Sequence, residues 1–260
     1  MIPAPKYETL CNELIRGFFD YSRYPGDVNS DSSSDQYLAY IEGGQGPGPR
    51  LTKYNPIPIP DKVKMIGLVF CQPQHTLAKE EIVPCLNYYH YRSGININFY
   101  FSGFGAYWQP DEYLDKEHVG KIEGTTWYFS AKAFNDFRVS VEQRSSWQYS
   151  GEIDLILINA NLHPDQKTVN LNFEEAIACN LSEMKRKNTI PSIMGFFETI
   201  FKYADEQNGK DPTWGFSDCM GLHGAQSALK GLILGLLPKD LGKDVERLSH
   251  FAIKDISPNN

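Results

Sequence analysis

The sequence predicts a three-layer, Rossmann-like α/β fold with a mainly parallel sheet and a helical C-terminal third. The first observation behind it is a short apolar run without Gly or Pro at residues 153–158, with Ser150-Gly151 before it and Asn159-Ala160-Asn161 after it. Such a run is typical of a strand that is covered on both faces. The second observation is that strand-like stretches are separated by stretches of helical periodicity, which favours right-handed crossovers between parallel strands.

The predicted elements follow from periodicity and from start and stop signals. Strands are predicted at residues 63–70, 95–101, 125–129, 153–158 and 168–173. Helices are predicted at residues 7–20, 76–91, after Ser130, at 174–186, after Ser192, at 225–237 and at 245–253. Pro84 lies inside the second of these helices, so it is expected to kink that helix or to delay its start.

Four regions result from this pattern. Residues 1–20 form an N-terminal helix, 21–61 an irregular arm, 62–190 the α/β core, and 191–260 a helical part packed on the core. The arm is rich in Gly, Pro and Ser, a composition typical of loops or disorder. An arm of this length is expected to be either functional or disordered.

Charge argues against nucleic acid as a partner. The formal net charge is -7 and the pI is about 5.4, whereas proteins that bind a nucleic-acid backbone need a basic surface. The densest basic run, Lys185-Arg186-Lys187, falls at the end of a predicted helix, where it complements the helix dipole.

Cysteine usage and hydropathy favour a soluble, cytoplasmic protein without a membrane segment. The five cysteines are scattered and form no CxxC pair, so neither a disulfide framework nor a zinc ribbon is predicted. The N-terminal residues show no basic leader followed by an apolar run. The longest apolar-rich stretch, residues 229–237, is too short to span a bilayer.

A ligand site is predicted at the carboxyl edge of the parallel sheet. In open α/β sheets the loops after the strands meet there, beside helix N-termini with free N–H groups. The polar loop residues that would line it are Gln72, His75, Ser102, Gly103, Asn159 and His163. Their amides, hydroxyl and imidazoles suit a small nucleotide-like ligand. The alternative is that they are ordinary turn residues.

No catalytic motif is present, and the sequence indicates no metal and no particular cofactor. Glu142 is one candidate acid, although it lies about 18 Å along the helix from Ser130, which is deep for this site. Cys219 and His223 are the other candidates, as a thiol–imidazole pair. The alternative for this pair is a buried cysteine beside a loop histidine.

Two functional hypotheses follow. The first is a protein that binds a small nucleotide-like ligand, with hydrolysis or transfer at a nucleoside or nucleotide glycosidic bond as the activity such a fold could carry. The second is a non-catalytic interaction subunit of a cytoplasmic complex, which binds a protein partner through an aromatic-rich surface and the arm at residues 21–61. Oligomeric state and strand order are left open by both hypotheses.

Overall fold

The computed structural model of this chain describes most of the core. The described residues are 7, 10–11, 14, 19–20, 57–58, 63–92, 97–106, 108, 113–163, 169–207, 252–254 and 256–258. The predicted helix at 225–237, most of the arm, and Cys219 with His223 lie outside them. In the predicted first helix, Leu10 and Leu14 are helical and buried, whereas residues 19–20 form a strand.

The described elements comprise ten strands and four α-helices. The strands are β1 (Phe19–Asp20), β2 (Ile57–Pro58), β3 (Val63–Phe70), β4 (Asn98–Phe101), β5 (Phe104–Gly105), β6 (Glu117–Ile122), β7 (Thr125–Phe129), β8 (Asp154–Leu162), β9 (Val169–Asn180) and β10 (Ala252–Lys254). The helices are α1 (Leu86–Arg92), α2 (Ala131–Glu142), α3 (Leu181–Arg186) and α4 (Ile193–Gln207). A π-helical turn at Ala78–Ile82 and a 3-10 turn at Val83–Cys85 precede α1.

The main sheet has five strands in the order β10-β9-β8-β3-β4. Only β3 and β4 run parallel, and the other three pairs are antiparallel. The predicted mainly parallel, three-layer Rossmann-like fold is therefore wrong. The apolar run in β8 correctly predicts that both faces of this strand are buried. Burial on both faces does not determine whether the neighbouring strands are parallel or antiparallel.

Helices cover the two faces of this sheet. Side chains alternate between faces along a strand, so Val69 and Phe70 of β3 point in opposite directions. Phe70 stacks on Phe137 of α2 with ring centroids 5.6 Å apart. On the face of Val69, its neighbour Phe101 of β4 packs against α1 and α4. A mixed sheet buried on both sides thus produces the apolar pattern of a parallel one.

Strand β9 is longer than predicted. Residues 174–180 were expected to begin a helix, but they continue the strand, and α3 starts only at Leu181. Ile177, Ala178 and Cys179 pair with β8 on one side and with β10 on the other. Their apolar spacing is compatible with a helix as well as with a strand. The residues form a strand because they pair with a neighbouring strand on each side. Residues 252–253, predicted as helix, are strand for the same reason.

A smaller antiparallel sheet has the order β5-β7-β6. Strand β6 is absent from the predicted strands, because the stretch shows no apolar alternation, and none of its residues is fully buried. A two-residue turn, Glu123-Gly124, joins β6 to β7 with φ of 48° and 87°. Positive φ at both central positions is the type I′ geometry that closes tight hairpins.

Several local predictions are confirmed. The α-helix after Pro84 starts at Leu86, behind the 3-10 turn that contains the proline. Ser130 is the N-cap of α2, since its hydroxyl accepts a bond from the Ala133 N–H at 3.0 Å. Ser192 accepts in the same way from the Gly195 N–H at 2.9 Å, at the start of α4. These features depend on residues three or four positions apart, which the sequence displays directly.

Candidate functional site

The predicted site residues lie at two opposite edges of the sheet. Because β8 is antiparallel to β3, Asp154 pairs with Phe70 at the carboxyl end of β3, whereas Asn159 pairs with Met65. At about 3.3 Å per residue, that places Asn159 roughly 17 Å from the end of β3. His163 follows the end of β8 and lies farther still. The loops after β3 and β4 share one edge, and the loop after β8 lies at the other.

Gln72 and His75 form the turn after β3. Gln72 is exposed, and its carbonyl accepts a hydrogen bond from the His75 N–H at 3.1 Å. The imidazole is half-buried, and its Nδ1 atom has no hydrogen-bond partner within the described part of the chain. Their role in ligand binding stays a prediction.

Ser102 and Gly103 are enclosed by the protein. Ser102 is fully buried, its N–H donates to the Val69 carbonyl at 2.9 Å, and its hydroxyl donates to the Phe134 carbonyl at 3.4 Å. Gly103 has φ of 77°, and a Cβ atom there would lie 2.7 Å from the Phe129 ring. The glycine thus allows close packing of its own chain, and its enclosure leaves no open approach for a ligand to this backbone.

The N-terminus of α2 is occupied by a carboxylate of the chain itself. Asp115 accepts the Ser130 hydroxyl through Oδ1 and the Lys132 N–H through Oδ2, each at 2.8 Å. Burial opposes the charge, but these two hydrogen bonds outweigh it and lower the pKa of Asp115. The N–H groups of Lys132 and Ala133, which could otherwise bind a ligand anion at this helix, are therefore already partnered.

Asp115 also fastens a turn, residues 113–115, to α2. The Lys116 N–H donates to the Tyr113 carbonyl at 3.0 Å, and the Tyr113 ring packs on Trp108 with centroids 4.7 Å apart. Tyr113 has φ of 53°, a left-handed conformation that is uncommon for a bulky residue. Between Tyr113 and Asp115, Leu114 is 91 % exposed, more than any other large hydrophobic side chain in the described ranges.

A second carboxylate, Asp154, is buried at the same sheet edge as the end of β3. It accepts the N–H and the hydroxyl of Ser150 at 2.8 and 2.7 Å, and a hydrogen bond from the Trp147 side chain. Burial raises the pKa of Asp154 to about 6 despite these bonds. Its 2 % exposure leaves no room for a substrate, so its role is to hold the segment before β8.

The remaining candidate side chains have structural partners. Glu142 forms a bidentate ion pair with Arg138 at 2.8 and 2.9 Å and accepts the Tyr149 N–H at 3.0 Å. Burial raises the pKa of the Cys71, Cys85 and Cys179 thiols, which disfavours a thiolate nucleophile at these positions.

The basic run Lys185-Arg186-Lys187 lies at the end of α3, as predicted. Its ion-pair partners are Glu81, Glu152 and Glu183. A run already paired with three carboxylates offers little net charge to a phosphate group.

Sequence reasoning missed Asp115, Leu114 and Asp154. Asp115 lies in an acidic stretch that resembles an ordinary solvated loop. Its distance from Ser130 in the sequence does not predict the hydrogen bond between the two side chains. Asp154 stands at the start of β8, and in the predicted parallel sheet that position would lie at the edge opposite the end of β3. The only sequence feature that could have indicated a buried Asp154 is its position as a single carboxylate near the start of an apolar run.

Comparison with protein-family models, with curated protein sequences and with solved structures finds no match to this chain. Among the described residues, no group of three or more His, Cys, Asp or Glu side chains converges as a metal site. No helix in the described ranges is both long and apolar enough to cross a membrane.

Proposed function

We propose that this protein is an interaction module that binds a protein partner through the turn at residues 113–115, with Leu114 as the anchor. One observation carries the proposal: Asp115 fastens the turn to α2 while Leu114, the residue before it, is 91 % exposed. An isolated exposed leucine is unremarkable on its own. Its position on an anchored and strained turn is what distinguishes this one.

The strain of the turn supports a functional role. A left-handed conformation at a residue with a side chain is unfavourable by about 1–2 kcal/mol, so the packing of Tyr113 on Trp108 has to maintain it. Strained residues of this kind cluster at binding and active sites. A turn that is already fixed loses little conformational entropy on binding, so more of the contact energy is retained as affinity.

The small-ligand hypothesis has lost its structural basis. It required a mainly parallel sheet whose strand ends meet at one edge, and the strand directions separate Asn159 and His163 from the other residues. An anionic ligand at α2 would also have to displace Asp115 from the helix N-terminus. The Rossmann-like, nucleotide-binding and hydrolase assignments are therefore withdrawn.

The test places a photo-reactive benzophenone amino acid at position 114, and at position 91 as a matched control. Tyr91 is 66 % exposed on α1, so the control reports nonspecific capture by an exposed residue. We expect one protein to cross-link at position 114 and not at 91. The purified partner should then bind the wild type and lose affinity at least about tenfold with Leu114→Asp, because a charge would enter an apolar pocket.

Leu114 is exposed, so Leu114→Asp should leave the melting temperature unchanged, and lost binding would not reflect unfolding. Equal cross-linking at positions 114 and 91, or unaltered binding by Leu114→Asp, would overturn the proposal.

A thermal-shift screen against nucleosides and nucleotides tests the small-ligand hypothesis. A ligand at a hundredfold excess over its Kd stabilises the folded state by about 2.7 kcal/mol, which such a screen detects.

A further inference from the structure

The outer face of α2 carries a stripe of exposed residues. Lys132, Asp136, Val139 and Gln143 follow one another at intervals of three or four residues and are all exposed, with Val139 at 38 %. Lys132 and Asp136 form an ion pair at 3.1 Å. The opposite face of the helix is buried and consists of Ala133, Phe134, Phe137 and Val141. The exposed stripe begins beside the turn at residues 113–115, because Asp115 binds the Lys132 N–H.

This stripe is complementary to itself. If a second α2 is laid against it antiparallel, with a two-fold axis near the level of Phe134 and Asn135, then Lys132 of each helix faces Asp136 of the other. The same axis brings Val139 of each helix to the level of Ser130 in the other. The Ser130 hydroxyl donates to Asp115, the residue after Leu114, so the turn at residues 113–115 lies at that level. The axis that pairs Lys132 with Asp136 thus also brings Val139 to within about one residue of the level of the turn.

We propose that the partner bound by the 113–115 turn is a second copy of this chain, in a two-fold dimer formed by antiparallel α2 helices. The inference rests on the proposed interaction function and names its partner. In a two-fold interface, a contact from residue i to residue j occurs twice, so each charged and each apolar pair counts twice.

The dimer is reversible and depends on concentration. Helix α2 has twelve residues, which is about 18 Å of helix. The proposed interface consists of this helix and the turn at residues 113–115. A standard interface covers about 800 Å² on each partner, more than one short helix and a turn supply. Exchange between monomer and dimer should accordingly be visible by sedimentation velocity over a series of protein concentrations.

The experiment uses charge reversal at both ends of the predicted contact. Lys132→Glu makes the stripe acidic and Asp136→Lys makes it basic, so each variant alone should dimerise about tenfold more weakly than the wild type. An equimolar mixture of the two should form a heterodimer, because the acidic stripe of one then faces the basic stripe of the other. The double variant Lys132→Glu/Asp136→Lys restores opposite charges and should dimerise like the wild type.

Two controls separate the interface from net charge and from folding. Lys121→Glu on β6 and Glu174→Lys on β9 change the net charge by the same amounts at exposed positions on strands outside the proposed contact, and should leave dimerisation unchanged. Circular dichroism and urea unfolding of each single variant check that the monomer is folded, because the intrahelical ion pair is also lost.

The outcomes are separable. A wild type that stays monomeric at every concentration, or a dimer that both charge reversals leave intact, would overturn the second-copy inference. In either case, a different protein cross-linked at position 114 and lost with Leu114→Asp would still support the interaction function. Absence of any cross-link at position 114 together with a strictly monomeric wild type would reject both.

Discussion

The indole Nε1 of Trp127 donates a hydrogen bond of 2.7 Å to Oδ1 of Asn87, which ties the smaller sheet to α1. The Asn87 amide nitrogen in turn donates to the Ile122 carbonyl at 2.7 Å. Asn87 is 3 % exposed and Trp127 is 1 % exposed, so neither hydrogen bond can be replaced by bulk water. One asparagine therefore satisfies a buried donor on β7 and a carbonyl on β6.

Removing the Asn87 side chain should destabilise the protein by about 2–4 kcal/mol. Asn87→Ala leaves the Trp127 N–H and the Ile122 carbonyl without partners, and each unsatisfied buried group costs about 1–3 kcal/mol. Urea unfolding followed by circular dichroism measures the change. In the double variant with Trp127→Phe, the loss should be smaller than the sum of the two single losses. Additive losses would show that the two side chains do not interact.

Two glycines in the left-handed region should respond differently to alanine. At Gly103 a Cβ atom would meet Phe129, Phe134 and the Ser130 carbonyl at 2.7–2.9 Å, whereas at Gly151 it would meet nothing within 4 Å. We expect Gly151→Ala to lower the free energy of unfolding by about 1 kcal/mol, because only the backbone is strained. Gly103→Ala should cost about 2 kcal/mol more, from overpacking. Equal melting temperatures for the two variants would contradict the close packing at Gly103.

Buried Asp154 should make stability fall as the pH rises. Its pKa is about 6 in the folded state and near 3.8 in the unfolded chain, so the folded state binds the proton more tightly. The stabilisation is complete below pH 4 and is lost as the pH rises through about 6, by about 3 kcal/mol in total. Urea titrations from pH 4 to 7 measure this slope, which Asp154→Asn should flatten. The exposed Asp136→Asn is the control, and an unchanged slope in Asp154→Asn would refute the assignment.

Glu123 adopts a left-handed backbone conformation that is unfavourable for glutamate, so replacing it should stabilise the β6–β7 hairpin. It is the first central residue of the type I′ turn, with φ of 48°, where Asn is preferred. Glu123→Asn should raise the free energy of unfolding by about 1 kcal/mol, less a small loss from its 3.4 Å contact with Asn87. Thermal unfolding checks this, with Lys121→Asn on the neighbouring strand as the control. If both variants lowered the melting temperature equally, turn geometry would not be the cause.

The predicted ligand site shows where sequence reasoning reached its limit. The strands before its loops are present in the structure, although Asn159 lies buried within β8 and not in the loop after it. Its assembly depended on strand direction, and Asn159 and His163 lie at the opposite edge because β8 is antiparallel. Ser102 and Gly103 do lie at the expected edge, but they are enclosed by side chains from α2 and β7. Neither strand direction nor enclosure can be read from residues within one loop.

The sequence by itself determined the features that depend on near neighbours: the strand at Val63–Phe70, the caps at Ser130 and Ser192, the change of helix geometry at Pro84, and the two-sided burial of β8. The tertiary structure alone decided the mixed sheet, the extended β9, the bond between Asn87 and Trp127, and the carboxylate of Asp115 at α2. The physical reason is the range of the interactions. Helix caps and periodicity act over a few residues, whereas strand pairing and buried hydrogen bonds join residues that are distant in the chain and leave no local pattern.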